Sequence, residues 1–272
     1  MLLKKRPAGT LVCIFFFLLS SCANTSRIAQ PQFSYWHYTF SVLLDPAQPG
    51  SSPHLDLGLS LLFMNFPSEQ SRFLNSVLYS DDSLEAYKDR VLQHQRESFR
   101  GRLPADGING EDTQFSSANW RYTERLSIKH SFAKALIIER DIESYSGGAH
   151  GFYSKRYHVL DMEELKQIRI DDLFQDYQGA RTRAVIYEEL RRFNGLEPNQ
   201  PLSEGIFMSD APELSFNFNL TQEGIAFRWD PYEISPYSEG GIEITVPWRR
   251  IRPLLLHSGM ELLTKFDIYL FV

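Results

Sequence analysis

Apolar and polar residues alternate along several stretches of this chain. Leu55, Leu57, Leu59 and Leu61 are separated by Asp56, Gly58 and Ser60, the two-residue period of a strand with one buried face. Phe33 to Leu44 is aromatic and β-branched and stops at Asp45-Pro46, so it predicts a second strand across a long proline- and glycine-bearing loop. The same signals predict strands over 120–128, 137–145 and 152–160, the last two joined by Ser146-Gly147-Gly148-Ala149-His150-Gly151. Phe216, Phe218 and Leu220 alternate with Asn217 and Asn219 and turn at Thr221-Gln222-Glu223-Gly224 into 225–229, a further hairpin. Ile168 and Ile170, residues 242–246 and the apolar end 266–272 read as shorter strands.

Elsewhere the period lengthens to three and four. Pro67-Ser68-Glu69 opens a stretch in which Phe73, Leu74, Val77 and Leu78 share a face. Asp82-Ser83-Leu84-Glu85 has the form of a capping box, with Glu85 reaching back, and starts a helix toward Arg100 with Leu84, Tyr87 and Val91 inward. From Gly179 to Phe193 the pattern is clearest: Thr182, Ile186, Leu190 and Phe193 fall on one face, and Arg191 and Arg192 suit the negative end of the helix dipole. Pro247 to Leu256 predicts a short helix with proline at its start. The pattern predicts an α+β fold of mainly antiparallel sheets with a few packed helices. It is expected to form two closely associated lobes, 33–119 and 120–272.

The first thirty residues change the picture of where this fold resides. Lys4, Lys5 and Arg6 precede the apolar run Leu11 to Leu19. Nine residues are too few to span a bilayer, which takes ~20 in a helix, so the segment reads as a signal peptide over 1–21. Leu19-Ser20-Ser21-Cys22 resembles the lipobox of bacterial lipoproteins, which implies lipid on Cys22 and a tether over 22–32; the alternative is an ordinary secretory signal. Cys13 lies in the part removed, so no thiol is left for a disulfide and a packed core must supply stability. Hydrophobic residues at 43% are enough for one. Loss of Lys4, Lys5 and Arg6 takes the formal charge from −6 to −9, which argues against nucleic acid as a partner. The expectation is an extracytoplasmic protein held by lipid to the cell membrane or outer membrane, facing the periplasm or the surface.

Candidate chemistry is sparse. Glu139, Asp141 and Glu143 share a strand face, but Arg140 interleaves with them and Lys155 and Arg156 lie across the hairpin, the marks of a solvated sheet face. No histidine pair has metal-ligand spacing and no serine sits in a nucleophile elbow, so neither catalytic residues, a metal nor a cofactor is expected. Arg249, Arg250 and Arg252 read as a solvated helix face. Two places hold more. Gly147 and Gly148 leave bare amides beside His150, and Tyr232-Glu233-Ile234-Ser235-Pro236-Tyr237 sets two tyrosines and a carboxylate on one stiffened loop, a composition suited to protein or sugar recognition. The default reading of both is structural, as turns locked by aromatic packing and a buried hydrogen bond from Glu233 or His150.

Ser146-Gly147-Gly148-Ala149-His150, then Tyr153, Lys155 and Tyr157, then Ile170-Asp171-Asp172-Leu173-Phe174 form a recognisable series. It continues in Asn217-Phe218, Thr221, Gly224, Phe227, Pro231-Tyr232-Glu233-Ile234, Pro236-Tyr237 and Ile242-Glu243-Ile244. The series resembles a bacterial domain of unknown function shared by RsiV-like anti-sigma factors, which bind lysozyme outside the cell, and by the N-terminal region of PdaC-like peptidoglycan deacetylases. The resemblance runs over 120–256, with 33–119 similar only in general layout. No sigma-binding segment or spanning helix precedes these residues and no deacetylase follows, so neither of those activities is expected. What the resemblance implies is a binding protein for peptidoglycan or a lysozyme-like protein; it carries over no catalytic residue. The alternatives are an envelope assembly lipoprotein without a small ligand, and a hydrolase using His150 with Glu143 or Glu233.

Overall fold

A computed structural model describes residues 33–102, 118–132 and 134–268. The signal segment, Cys22 and the tether lie outside the described residues. Two compact units divide the chain, one made of residues up to 123 with 146–148, the other of 124–145 and 149 onward.

In the first unit, β1 (Phe33–Leu43) and β2 (His54–Met64) pair antiparallel from Phe33 opposite Met64 to Leu43 opposite His54. Leu55, Leu57, Leu59 and Leu61 are all buried, as their alternation requires. Helix α1 (Glu69–Tyr79) is capped by Ser68, whose side chain accepts from the Ser71 amide. It buries Leu74, Leu78 and Tyr79, and the Tyr79 hydroxyl donates to the Leu62 carbonyl at 2.6 Å. Helix α2 (Leu84–Arg100) departs from expectation at its start: the cap is Ser83, not Asp82. That moves Glu85 to the second helical position, too early to reach the cap amide, and its carboxylate pairs with Lys88 at 2.6 Å. Of the residues predicted inward, Tyr87 is buried and Leu84 and Val91 are only half-buried.

Strand β3 (Trp120–Ser131) starts in the first unit and continues into the second. In the second unit it is followed in sheet order by β4 (Ala135–Tyr145), β5 (Phe152–Asp161) and the short β6 (Lys166–Gln167). The β4–β5 hairpin keeps one register from Ala135 opposite Asp161 to Ser144 opposite Phe152. A separate antiparallel sheet orders β7 (Phe218–Leu220), β8 (Gly224–Trp229) and β9 (Ile242–Pro247). Helices α3 (Ala180–Phe193), α4 (Trp248–Ile251) and α5 (His257–Lys265) complete the unit. Ile137 and Val159 from the hairpin meet Phe227, Ile244, Trp248 and Leu190 in one core. The result is the α+β, mainly antiparallel architecture that the patterning predicts.

Several local expectations fail for identifiable reasons. Phe193, at the end of α3, is half exposed, so the helix buries a narrower stripe than its sequence offers. Strand β7 is only three residues long and buried on both faces; Asn219, expected outward, is 1% exposed, while Phe216 precedes the strand and is exposed. The short strand placed at Ile168 and Ile170 lies instead at 166–167, and Ile170 opens a single helical turn. The strand expected over 266–272 does not start at Phe266, which caps the end of α5; residues 269–272 lie outside the described residues. A Cβ at Gly259 would stand 2.6 Å from the Leu173 carbonyl oxygen, so the glycine is what lets α5 pack.

Glu143 is exposed as expected, but Glu139 and Asp141 of β4 are less solvated than expected. Glu139 is buried between Lys129 and Lys155, 3.1 and 2.9 Å away. Burial works to raise its pKa, but the hydrogen bonds from Lys155 and Lys129 overcome it and hold the carboxyl at about 2. Asp141 goes the other way, raised by burial and by the negative charge of Glu139. Arg250, expected in water, binds Glu188 and Glu189 of α3. Among the described residues no helix is long and apolar enough to cross a membrane.

Candidate functional site

The turn between β4 and β5 is shaped as three glycines in five residues suggest. Gly147 and Gly148 have φ of 86° and 95°, the left-handed region that glycine enters without cost. Arg102 closes over the same turn, donating to the Ser146 carbonyl and hydroxyl oxygens at 3.1 and 2.8 Å. These residues fall in the first unit. The cluster described next is made by residues of the second unit.

His150, at the entry to β5, meets the loop that follows β8. Its ring stacks on Tyr237 with centroids 4.0 Å apart and planes 23° apart. Tyr232 lies 6.1 Å from the imidazole and 5.6 Å from Tyr237, and its hydroxyl is 3.3 Å from His150 Nε2. Tyr153, on β5, adds a fourth ring 5.9 Å from Tyr237. Gly240 makes room for it: φ is 73°, and a Cβ would come within 2.7 Å of the Tyr153 hydroxyl. Rings this close pack on one another and leave no gap for an ion between them. They present a platform, with Tyr232 58% exposed at its top.

The backbone beneath that platform is strained. Tyr232 has φ of 69°, where a side chain with a Cβ costs roughly 1–2 kcal/mol. Three hydrogen bonds hold it there. Its amide donates to the Ser235 carbonyl at 3.1 Å, the Glu233 amide to the Asp230 carbonyl at 3.1 Å, and the Asp230 amide to Glu233 Oε2 at 2.7 Å. Glu233 therefore caps its own turn, and its other oxygen faces Arg156 at 3.6 Å. One of the hydrogen bonds foreseen for this loop is present, with the glutamate as acceptor.

Asp230 fixes the loop to β5. It is 4% exposed and accepts from the Ser154 hydroxyl at 2.6 Å and the Lys155 amide at 3.0 Å, with Arg156 at 2.8 Å. Asn217 does the same two residues further along. Its side-chain oxygen accepts from the Tyr157 amide at 2.9 Å, and its nitrogen donates to the Lys155 carbonyl at 2.7 Å. Two side chains thus take the positions that the backbone of a neighbouring strand would fill. Below them the Tyr157 hydroxyl donates to Glu243 at 2.7 Å; burial first, and then that carboxylate, push its pKa far up, so the phenol keeps its proton.

Sequence reasoning picked out His150, Tyr232, Glu233 and Tyr237, and the structure brings these four together. It missed Tyr153, Asp230 and Asn217. An aspartate that ends a strand just before proline was a visible signal, but nothing local shows that its acceptor positions are filled by residues 75 and 76 positions away. His150 hydrogen-bonds Tyr232 and the Gly151 carbonyl, while Glu233 bonds the Asp230 amide and faces Arg156, so these bonds do not couple the imidazole to that carboxylate. Among the described residues no group of three histidine, cysteine or acidic side chains could hold a metal ion.

Two solved structures share this architecture. A member of the DUF3298 family from Bacteroides fragilis superposes with a TM-score of 0.68 at 18% identity, covering 85% of this chain and 96% of its own. A DUF3298 family protein from Pseudomonas aeruginosa gives 0.56 at 16%, covering 84% and 95%. No curated protein matches the chain. At these identities the likeness is one of fold. Within it, residues 171–249, which carry Asn217, Asp230, Tyr232, Glu233 and Tyr237, match the model of a protein family of unknown function, DUF3298.

Proposed function

We propose that this chain is a binding protein on the outer side of the cytoplasmic membrane, carried by lipid on Cys22, that recognises cell-wall glycan through the platform topped by Tyr232. One observation carries the reading: an exposed tyrosine is held in a left-handed backbone conformation by a turn that is itself tied to a strand by a buried carboxylate. Strain of this kind persists where the surroundings over-determine it, and it gathers at ligand sites. A flat aromatic face with a hydroxyl at its edge suits a sugar ring, which has an apolar face and a polar rim. The signal-like first residues and the Leu19 to Cys22 pattern support the location. The resemblance to RsiV-like and PdaC-like proteins supports the wall as the setting.

A wall-active protein of lysozyme type is the second reading, favoured by Tyr232, Tyr237 and half-exposed Arg156 on one surface. Tyrosine and arginine are the side chains that most often anchor protein interfaces. The test is sedimentation of the detergent-purified protein with wall sacculi, and calorimetry with lysozyme. Saturable binding to sacculi that Tyr232→Ala weakens at least about tenfold supports the glycan reading. Binding to lysozyme alone transfers the site to the second reading, and binding to neither would sink both. Separately, Cys22→Ala should move the protein from the detergent phase to the aqueous phase; unchanged partition would remove the anchor from the proposal.

A further inference from the structure

His150 is held at both of its ring nitrogens. Nδ1 lies 3.0 Å from the Gly151 carbonyl oxygen, an atom that can only accept, so a neutral imidazole carries its proton there and leaves Nε2 bare. Tyr232 Oη stands 3.3 Å from Nε2 and therefore donates to it. The proton of the phenol is committed inward, and its oxygen turns a lone pair to solvent beside the exposed ring. The ring plane of His150 is fixed by Tyr237 stacked upon it, with Tyr153 behind. The titratable groups facing the imidazole are thus phenols, and none of its described hydrogen bonds or ring contacts is to a carboxylate or ammonium.

We propose that His150 is a positioning residue that sets the Tyr232 hydroxyl as an acceptor, so that the group read there is an N–H donor beside an apolar ring face, the chemistry of an N-acetylated amino sugar. The inference rests on the glycan reading above and names the part of the glycan that is recognised. A protonated imidazole reverses the arrangement: Nε2–H donates to Tyr232 Oη, the hydroxyl proton turns outward, and it meets the incoming N–H proton to proton. A sugar hydroxyl can rotate to follow that reversal, whereas an amide N–H cannot.

Two β-1,4-linked tetrasaccharides separate these cases, one of N-acetylglucosamine and one of glucose. Their binding to the full chain in detergent is measured by calorimetry from about pH 8 to about pH 5, the interval in which imidazoles generally titrate. The acetylated oligomer should bind and weaken about tenfold on acidification, the size of one hydrogen bond gained or lost, while the glucose oligomer shows no acid limb. His150→Gln, which keeps an acceptor but does not titrate, should bind the acetylated oligomer at pH 8 and lose the acid limb. Tyr232→Phe should bind it weakly at every pH. An acid limb that survives in His150→Gln, or one shared by both oligomers, overturns the inference. Failure of both oligomers to bind while sacculi are retained overturns it alone; if sacculi are not retained either, the glycan reading falls with it.

Discussion

Two clusters of aromatic rings, one in each unit, have similar composition and different origins. On β1, Trp36 stacks on Tyr38 at 5.0 Å and Phe40 meets Tyr38 edge to face at 4.6 Å, all half-buried, with the Lys88 ammonium 4.7 Å from the Tyr38 ring. Residues two apart on a strand share a face, so this ladder needs nothing beyond a regular backbone. His150, Tyr153, Tyr232 and Tyr237 are brought together from a strand edge and a loop 82 positions away. Their assembly takes a buried aspartate, an asparagine bonded to backbone at both ends and a tyrosine in a left-handed conformation. Rings that follow from strand geometry stabilise a sheet. Rings that require strain and a buried charge are better explained by what they present to solvent.

The largest effect that would break this contrast is expected at Asp230. Asp230→Ala leaves the Ser154 hydroxyl and the Lys155 amide without this acceptor and takes from Arg156 its nearer carboxylate, and should cost about 3–5 kcal/mol in urea denaturation along with all binding. A loss below about 1 kcal/mol would mean that the loop stays in place without it. Next comes the ladder: Tyr38→Ala should cost about 2 kcal/mol, less than a fully buried ring, and leave wall binding untouched. Reduced binding there would erase the distinction between the clusters. Tyr232→Gly works in the opposite direction. It should raise stability by about 1 kcal/mol by relieving the left-handed strain while abolishing binding, and a destabilised Tyr232→Gly would show that the ring is held for packing.

The smallest effect separates acid sensitivity of the fold from acid sensitivity of the site. Burial, and then the charge of Arg140, lower the His158 imidazole from its ordinary 6.5 to about 4. Between those values the unfolded chain binds more protons, so stability is full above the window and falls as pH drops through it. His158→Gln should flatten that part of the denaturation profile and leave the pH dependence of ligand binding as it is. A changed binding profile would tie the site to the titration of the core.

Much of the fold was legible because it depends on near neighbours. The alternation of Leu55 to Leu61 and the face shared by Thr182, Ile186 and Leu190 each state which side is buried, and all seven are. What was hidden depends on partners far along the chain. Gly259 weakens a helix by propensity and is allowed by the backbone of Leu173; Asn219 alternates with apolar residues yet lies in a strand covered on both faces. The site divides in the same way. Its two loop tyrosines announced themselves by composition and loop chemistry, whereas the roles of Asp230 and Asn217 are set by residues at 154, 155 and 157.

Strand β5 pairs with β4 along nearly its whole length, but with β6 only at Leu160 and Asp161. Its first half is therefore a sheet edge, and Asp230 and Asn217 occupy that edge through the Lys155 and Tyr157 amides and the Lys155 carbonyl. An uncovered edge is where one molecule recruits another by adding a strand. The docking that orients Tyr232 thus also closes this edge to an added strand from a second copy. Loss of these two side chains would therefore appear as self-association as well as lost binding.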